Sequence, residues 1–398
     1  MFETVRYTYR LRPGAQAERA LLTEWGRCRW LWNEAVHQHK AGRKPTMCKL
    51  SKLLTAARAA NEWLRDGSQV AQQQMLRRYM LALDHSFTVR GRRRPALKRR
   101  KDTLPSLEYT TRGFRIRGSR LLLPNGVSVP VVWSRDLPSA PSSVRIYQDS
   151  LGHWYASFVV TRDPVPAPPA DGQIGIDWGM KVTATATDPA YDLPYGGYRK
   201  RCAAALARAQ RRMSRRRRQS GQAPSNGYRR ARRQAAQLHK KAARQNTHAA
   251  RVWAKRVVDD HQLIAVEDFR ALFLARSTMA RKSADAAIGA AKRELIERGT
   301  RAARKVVLVP PAYTTMTCAD CGTRAKERLT LAERTFACAA CGCIADRDRN
   351  AARVILAMAE RGHAGADDIR HPSRLPSGAA GGMRSEPQIL RHSATGKR

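Results

Sequence analysis

Two cysteine pairs restrict what residues 318–341 can fold into more tightly than any other feature of the chain. Cys318-x-x-Cys321 and Cys338-x-x-Cys341 stand 16 residues apart, and each is followed at once by glycine. A two-residue gap lets both thiolates of a pair face one point from a tight turn, and glycine frees backbone N–H groups to point at sulfur. Two such turns aimed at one point make a tetrahedral four-sulfur site, the spacing of structural zinc. Four protein ligands leave no open coordination position, so this metal is expected to hold a fold rather than to catalyse. A thioredoxin-like redox motif is the rival reading, and two pairs at this separation argue against it. Cys343 is a fifth cysteine that could stand in for Cys341. Metal would organise a loop with little apolar core of its own.

The surrounding charge is one-sided. Lys plus Arg is 75, Asp plus Glu is 32, and the net charge of the 398 residues is +43. That excess attracts polyanions, and nucleic acids gain most because neutralised phosphates release counterions. From Leu193 to Val258 there is no acidic residue, so ion pairs along a helix cannot form within that stretch. Arg211, Arg212, Arg215, Arg216, Arg217, Arg218, Arg229 and Arg230 are therefore candidate nucleic-acid contacts. No apolar run reaches membrane-spanning length and no signal pattern opens the chain, so the expectation is a cytoplasmic, nucleoid-associated protein with no membrane partner.

Patterning divides the chain at the Pro-rich 163–172. Before it, "TVRYTYRLRP" alternates as a strand, and Leu21, Trp25, Cys28 and Trp32 recur at helical spacing. A second helical stretch covers about Gln69 to Phe87, followed by the basic "RGRRRPALKRRKD". From Leu107 to Thr161 the pattern is of short β segments, so helices are inserted into a small barrel or sandwich. After 172 come a hairpin, "GQIGIDWGMKVTATAT", and a long helical region from Arg199 to Asp260. The strand "HQLIAVEDF", a helix over 283–305, the strand "VVLVPP" and a helix over 350–361 complete an α/β domain with a mixed sheet.

Two of those apolar runs end in acids: "IGID" in Asp177 and "IAVE" in Glu267. Asp348 opens the last helix, just after the second cysteine pair. Strand ends bring distant residues to one sheet edge. Clustered carboxylates repel one another unless a divalent cation joins them, and hard oxygen ligands suit magnesium. Taken singly, each acid reads as a turn, capping or ion-pair residue, and Asp346 or Asp268 could serve in place of a neighbour.

The segments "GIDWG", "AVEDF" and "CADCG…CAACGCIADRDRNAA" resemble the three RuvC motifs and zinc ribbon of TnpB-type, insertion-sequence-encoded nucleases, relatives of compact type V CRISPR effectors. "YRLRP", "GRCRWLWNEAV" and "GHWYASFVV" resemble that family's opening strand, first helix and last barrel strand. The resemblance implies a multidomain α/β and α+β chain. Residues 1–13 and 104–165 would form a wedge-like β-barrel and 14–103 its helical recognition insertion. Residues 166–312 and 344–362 would form an RNase H-like RuvC domain, 313–343 the zinc ribbon and 363–398 a disordered tail. It implies an RNA-guided, magnesium-dependent DNA endonuclease in which Asp177, Glu267 and Asp348 hold two Mg2+ ions, Asp346 supports the loop, and Zn2+ is structural. The partners implied are a guide RNA, bound by a monomer, and a double-stranded DNA target. The alternatives are an RNA-guided repressor without cleavage, and a guide-independent resolvase or transposase of the same fold.

Overall fold

The computed structural model describes residues 2–362, except 90, 101, 166, 220–221, 270–276, 328 and 331–332. The tail expected to be disordered, 363–398, lies outside the described residues. The chain divides into two compact units. Among the described residues, those up to 168, 196–254 and 281–303 form the first; 169–195, 255–280 and 304–362 form the second.

The first unit is built on strand β1 (Glu3–Leu11), helices α1 (Ala15–Lys40), α2 (Met47–Ala60), α3 (Glu62–Arg65) and α4 (Gln69–Thr88), and strands β2 (Ser106–Thr110), β3 (Arg115–Arg117), β4 (Arg120–Leu122), β5 (Ser128–Val132), β6 (Ser143–Gln148) and β7 (Trp154–Arg162). Sequence patterning anticipates α1 and α4 but not the short pair between them. The strands join as one antiparallel sheet in the order β2-β6-β7-β1-β5-β4-β3. Laid flat, seven strands at about 4.8 Å spacing would hold their outer members roughly 29 Å apart. Yet β2 and β3, the two edges, are joined by residues 111–114, which reach about 19 Å at most. The sheet must therefore curl, and the barrel-like wall follows from that short link.

Helix α1 buries Leu21, Trp25, Cys28, Leu31, Trp32, Ala35 and Val36 on the stripe its spacing predicts. The Trp32 indole meets the Tyr79 ring of α4 edge-on, with centroids 5.4 Å apart. Glu24, buried on the same helix, accepts from the Ser68 N–H at 3.2 Å and pairs with Arg27 at 3.1 Å. Ser68 in turn caps α4 through the Ala71 N–H. Burial raises the Glu24 carboxyl above its usual range, against the pull of these donors.

Four helices follow in the chain after the second unit begins: α5 (Tyr198–Arg215), α6 (Asn226–Asp260), α7 (Ala280–Ala286) and α8 (Ile288–Arg301). The single helix expected over 283–305 is two, because Ala287 adopts a left-handed φ of 55° between them. The carboxylate of Asp285 on α7 accepts from the Arg199 and Lys200 N–H groups at 2.7 and 3.0 Å and so caps the start of α5.

The second unit holds a five-stranded sheet of β8 (Gly172–Trp178), β9 (Val182–Ala186), β10 (Leu193–Pro194), β11 (His261–Glu267) and β12 (Lys305–Val309), in the order β10-β9-β8-β11-β12. β8, β11 and β12 run parallel, and the β8–β9–β10 half is antiparallel. A small hairpin, β13 (Thr335–Ala337) with β14 (Ile344–Asp346), leads directly into α9 (Arg347–Arg361). α9 covers one face of the sheet: Ile355 and Ala359 pack with Ala265 of β11 and Val309 of β12. Beneath it lies Gly175, where a Cβ would fall 2.0 Å from the Ala352 carbonyl oxygen. Any side chain there would lift the helix off β8.

Candidate active site and metal centre

The register of the parallel strands sets the first two acids. Ile176 of β8 pairs with Val266 of β11, so Asp177 and Glu267, the next residues, stand level on neighbouring strands. Side chains two apart share a face. Asp177 therefore shares the face of Gly175, and Glu267 the face of Ala265, which is the face α9 covers. Asp348 lies one helical turn before Ala352, in the first turn of α9. The three expected acids thus converge on one side of the sheet, at its carboxyl edge.

Asp177 is 6 % exposed and Glu267 7 % exposed. Burial first, then the charges of Glu267 and Asp348, raise the Asp177 carboxyl well above the ordinary carboxylate range. The Asp177 and Glu267 side chains lie within hydrogen-bond reach, and that contact also favours the protonated Asp177 carboxyl. Trp178, also buried, donates its indole N–H to the Glu267 carbonyl oxygen at 3.1 Å and ties the two strand ends together. Sequence patterning reads Trp178 only as part of a turn, and the adjacency of an aromatic to Asp177 is the signal it offers.

Asp348 is held differently. Its Oδ1 accepts from Arg347 Nε and Nη2 at 3.0 and 2.9 Å, and its Oδ2 accepts from Arg334 Nη1 at 3.1 Å. Arg347 is buried and also donates to the Thr330 and Glu333 carbonyls. With both oxygens drawn toward guanidiniums, the three carboxylates do not close to the 4.8 Å mutual spacing at which four cysteines do. Asp346 is the N-cap: its Oδ1 accepts from the Asp348 and Arg349 N–H groups, both at 3.0 Å. The helix therefore begins at Arg347, not at Asn350 as the apolar run suggests, because the cap precedes the apolar residues by a full turn.

Asn350 is fully buried and does a different job. Its Nδ2 donates to the Thr317 carbonyl at 2.7 Å, and its Oδ1 accepts from the Ala319 N–H at 3.0 Å. The amide thus fastens the first cysteine turn to α9. Arg353, one turn on, pairs with Asp320 of the same turn at 2.5 Å.

The four cysteines gather as their spacing requires. Cys318 and Cys341 sulfurs are 3.7 Å apart and Cys321 and Cys338 sulfurs 3.6 Å. Four sulfurs at about 2.3 Å from a tetrahedral zinc sit roughly 3.8 Å from one another, so the residues fit that ion. Gly322 and Gly342 both take φ 73°, closed by N–H bonds to the Cys318 and Cys338 carbonyls. Hydrogen bonds from Thr323 bring the Cys321 thiol down to about 6, which favours the thiolate a metal needs. A second group, Cys318, Asp320 and Cys343, overlaps the first. Cys343 therefore lies beside Cys318 and Asp320, not in the place of Cys341.

Arg211, Arg212, Arg215, Arg216, Arg217, Arg218, Arg229 and Arg230 are all exposed, on α5, α6 and the connection between them. Among the described residues none of the eight has a carboxylate within ion-pair distance. Arg212, Arg216 and Arg218 each donate to a neutral oxygen, on Gln234, Gly227 and Ala223.

A mixed sheet with two acids on adjacent parallel strand ends, a third on the covering helix, and a four-cysteine ribbon feeding that helix defines the class: an RNase H-like fold carrying a zinc ribbon. Two family models match within it, "Probable transposase" over residues 157–277 and "Cas12f1-like, TNB domain" over residues 290–355. Over these two regions the chain is similar to the family that its sequence resembles. A Streptomyces pristinaespiralis protein named "Putative RNA-guided DNA endonuclease" is 28% identical over 96% of this chain and 96% of its own length. The "Putative RNA-guided DNA endonuclease InsQ" of Escherichia coli (strain K12) is 29% identical over 90% of this chain and 92% of its own. A solved Cas12f1–sgRNA–target DNA complex covers 89% of this chain at 11% identity with a TM-score of 0.49. No helix among the described residues is long and apolar enough to cross a membrane.

Proposed function

We propose that the chain is an RNA-guided DNA endonuclease in which Asp177, Glu267 and Asp348 form a RuvC-type site for magnesium. The observation that carries this reading is the placement of Asp177 level with Glu267 on adjacent parallel strands, buried, and within the field of Asp348. Buried acids that face one another need a counter-charge, and oxygen ligands of this kind select a hard divalent ion. The spread of the three acids suits a pair of ions rather than one. Bound there, magnesium would activate a water and stabilise the leaving oxygen of a phosphodiester. The chain's own part is to orient: Trp178 fixes the Glu267 backbone, Arg347 fixes Asp348, and the ribbon strand β14 sets where α9 begins. The exposed arginines of α5 and α6 supply contacts for the backbone of a guide RNA and of target DNA.

The test is Asp177→Ala in the full-length protein. Cleavage of a DNA target matched to the co-purified RNA should fall below detection, while affinity for that RNA stays within about threefold, because phosphate contacts dominate binding. Equal loss of both defeats the assignment. Sequencing the bound RNA separates this reading from a guide-independent resolvase: cutting must follow the RNA's sequence.

A further inference from the structure

On the first unit, far in sequence from the acids, a group of cations collects around a single carboxylate, Glu108. Arg78 of α4 and Arg145 of β6 both donate to one neutral oxygen, the Ser106 hydroxyl of β2, at 3.2 and 2.8 Å. Ser106 is buried, Arg78 half-buried and Arg145 exposed. Glu108 is the carboxylate within ion-pair range, at 3.9 Å from Arg78. Lys98 and Arg6 add two further positive charges to the same field.

Lys98 is not there by drift. Asn33 of α1 brackets its peptide, donating to its carbonyl at 3.3 Å and accepting from its N–H at 2.8 Å. Arg29 donates to the same carbonyl at 3.3 Å, and Trp32 donates to the Ala96 carbonyl at 2.9 Å. The Lys98 ammonium lies over the Trp32 ring, 3.9 Å from its centre. Arg29, Trp32 and Asn33 of one helix thus fix a basic segment in place and hold its lysine within the field of Arg78 and Arg145. Burial, then the charges of Arg78 and Arg145, lower the lysine to about 8. Four cations against one acid cost stability unless something neutralises them, and a bidentate-capable guanidinium pair with an ammonium matches a tetrahedral phosphate.

We propose that Arg78, Arg145 and Lys98 form a receptor for one backbone phosphate of a nucleic acid, seated over the Ser106 hydroxyl. The receptor lies in the first unit and does not depend on the carboxylate site, so failure of the Asp177→Ala test and failure of this one are separate results.

The experiment measures binding of full-length, zinc-loaded protein to a labelled RNA of about 20 nucleotides and a DNA duplex of the same length. It runs in magnesium-free buffer across a KCl series. Lys98→Gln with Arg145→Gln is compared with Arg43→Gln and Lys44→Gln, two exposed cations on the α1–α2 connection. The receptor pair should weaken binding at least tenfold at about 100 mM KCl and flatten the log K against log[KCl] slope by about 1, with the control pair losing under threefold. The nucleic acid whose binding drops identifies the source of the phosphate. Equal losses for both pairs, or an unchanged slope, overturn the proposal. Ser106→Asp is the second arm. A carboxylate placed between the two guanidiniums should raise the unfolding midpoint and weaken the same ligand. A lowered midpoint with binding intact overturns it.

Discussion

Replacing Asn350 by alanine tests whether the ribbon and the acid-bearing helix are one mechanical piece. The Asn350 side chain makes two hydrogen bonds, at 2.7 and 3.0 Å, and has no exposed surface. Each such bond contributes about 1 kcal/mol net, and each backbone group left buried without a partner costs about 1–3 kcal/mol. Asn350→Ala strips partners from the Thr317 carbonyl and the Ala319 N–H together, so the loss should be roughly 2–6 kcal/mol. Thermal unfolding of zinc-loaded protein reads that change directly. Zinc release to a colorimetric chelator should quicken in parallel, since Ala319 lies inside the first cysteine turn. Asn350→Asp keeps the acceptor for Ala319 but sets an anion against the Thr317 carbonyl, so it should fall no closer to the native protein than halfway. If Asn350→Ala loses less than about 0.5 kcal/mol and releases zinc at the native rate, the fastening described above is not what holds the ribbon.

Gly175→Ala should destabilise by about 1–3 kcal/mol, seen as a lower unfolding midpoint, because its Cβ would overlap the Ala352 carbonyl oxygen. Cys321→Ser should abolish stoichiometric zinc in a metal assay of soluble protein, since Cys343 groups with Cys318 and Asp320 rather than with the other three cysteines. Stability should also follow the titration of Lys98. The folded chain releases that proton near 8, whereas an unfolded lysine holds it to about 10.4. Across that window the unfolded state binds more protons, so stability rises with pH, and denaturant titrations of Lys98→Gln should show a flatter segment there.

Much of this was readable before any coordinates. Cysteine spacing is a local property with a geometric consequence, so the four-sulfur site followed from it. The acids at the ends of "IGID" and "IAVE" were readable because a short apolar run bounded by turns is a buried parallel strand, and its end falls at a sheet edge. Apolar periodicity puts the start of α9 at Asn350 because it marks the buried face, not the cap; Asp346 caps a turn that is polar throughout. Asn350 and Trp178 were invisible as anchors for another reason. Their partners are backbone groups 33 and 89 residues away, and nothing in a neighbouring side chain announces a distant carbonyl. The Arg78–Arg145–Lys98 group is equally hidden, since α4, β6 and the basic segment around Lys98 lie far apart in sequence.

The acid-free span of α5 and α6 carries one more implication, for how the protein lives in a cell. Any polyanion that favours the folded form over the unfolded one adds to its stability by mass action. Arginines with no carboxylate in ion-pair range among the described residues have the most to gain from such a ligand. Supply of the cognate transcript would then set how much protein survives proteolysis, tying abundance of the enzyme to abundance of its guide without any dedicated regulator.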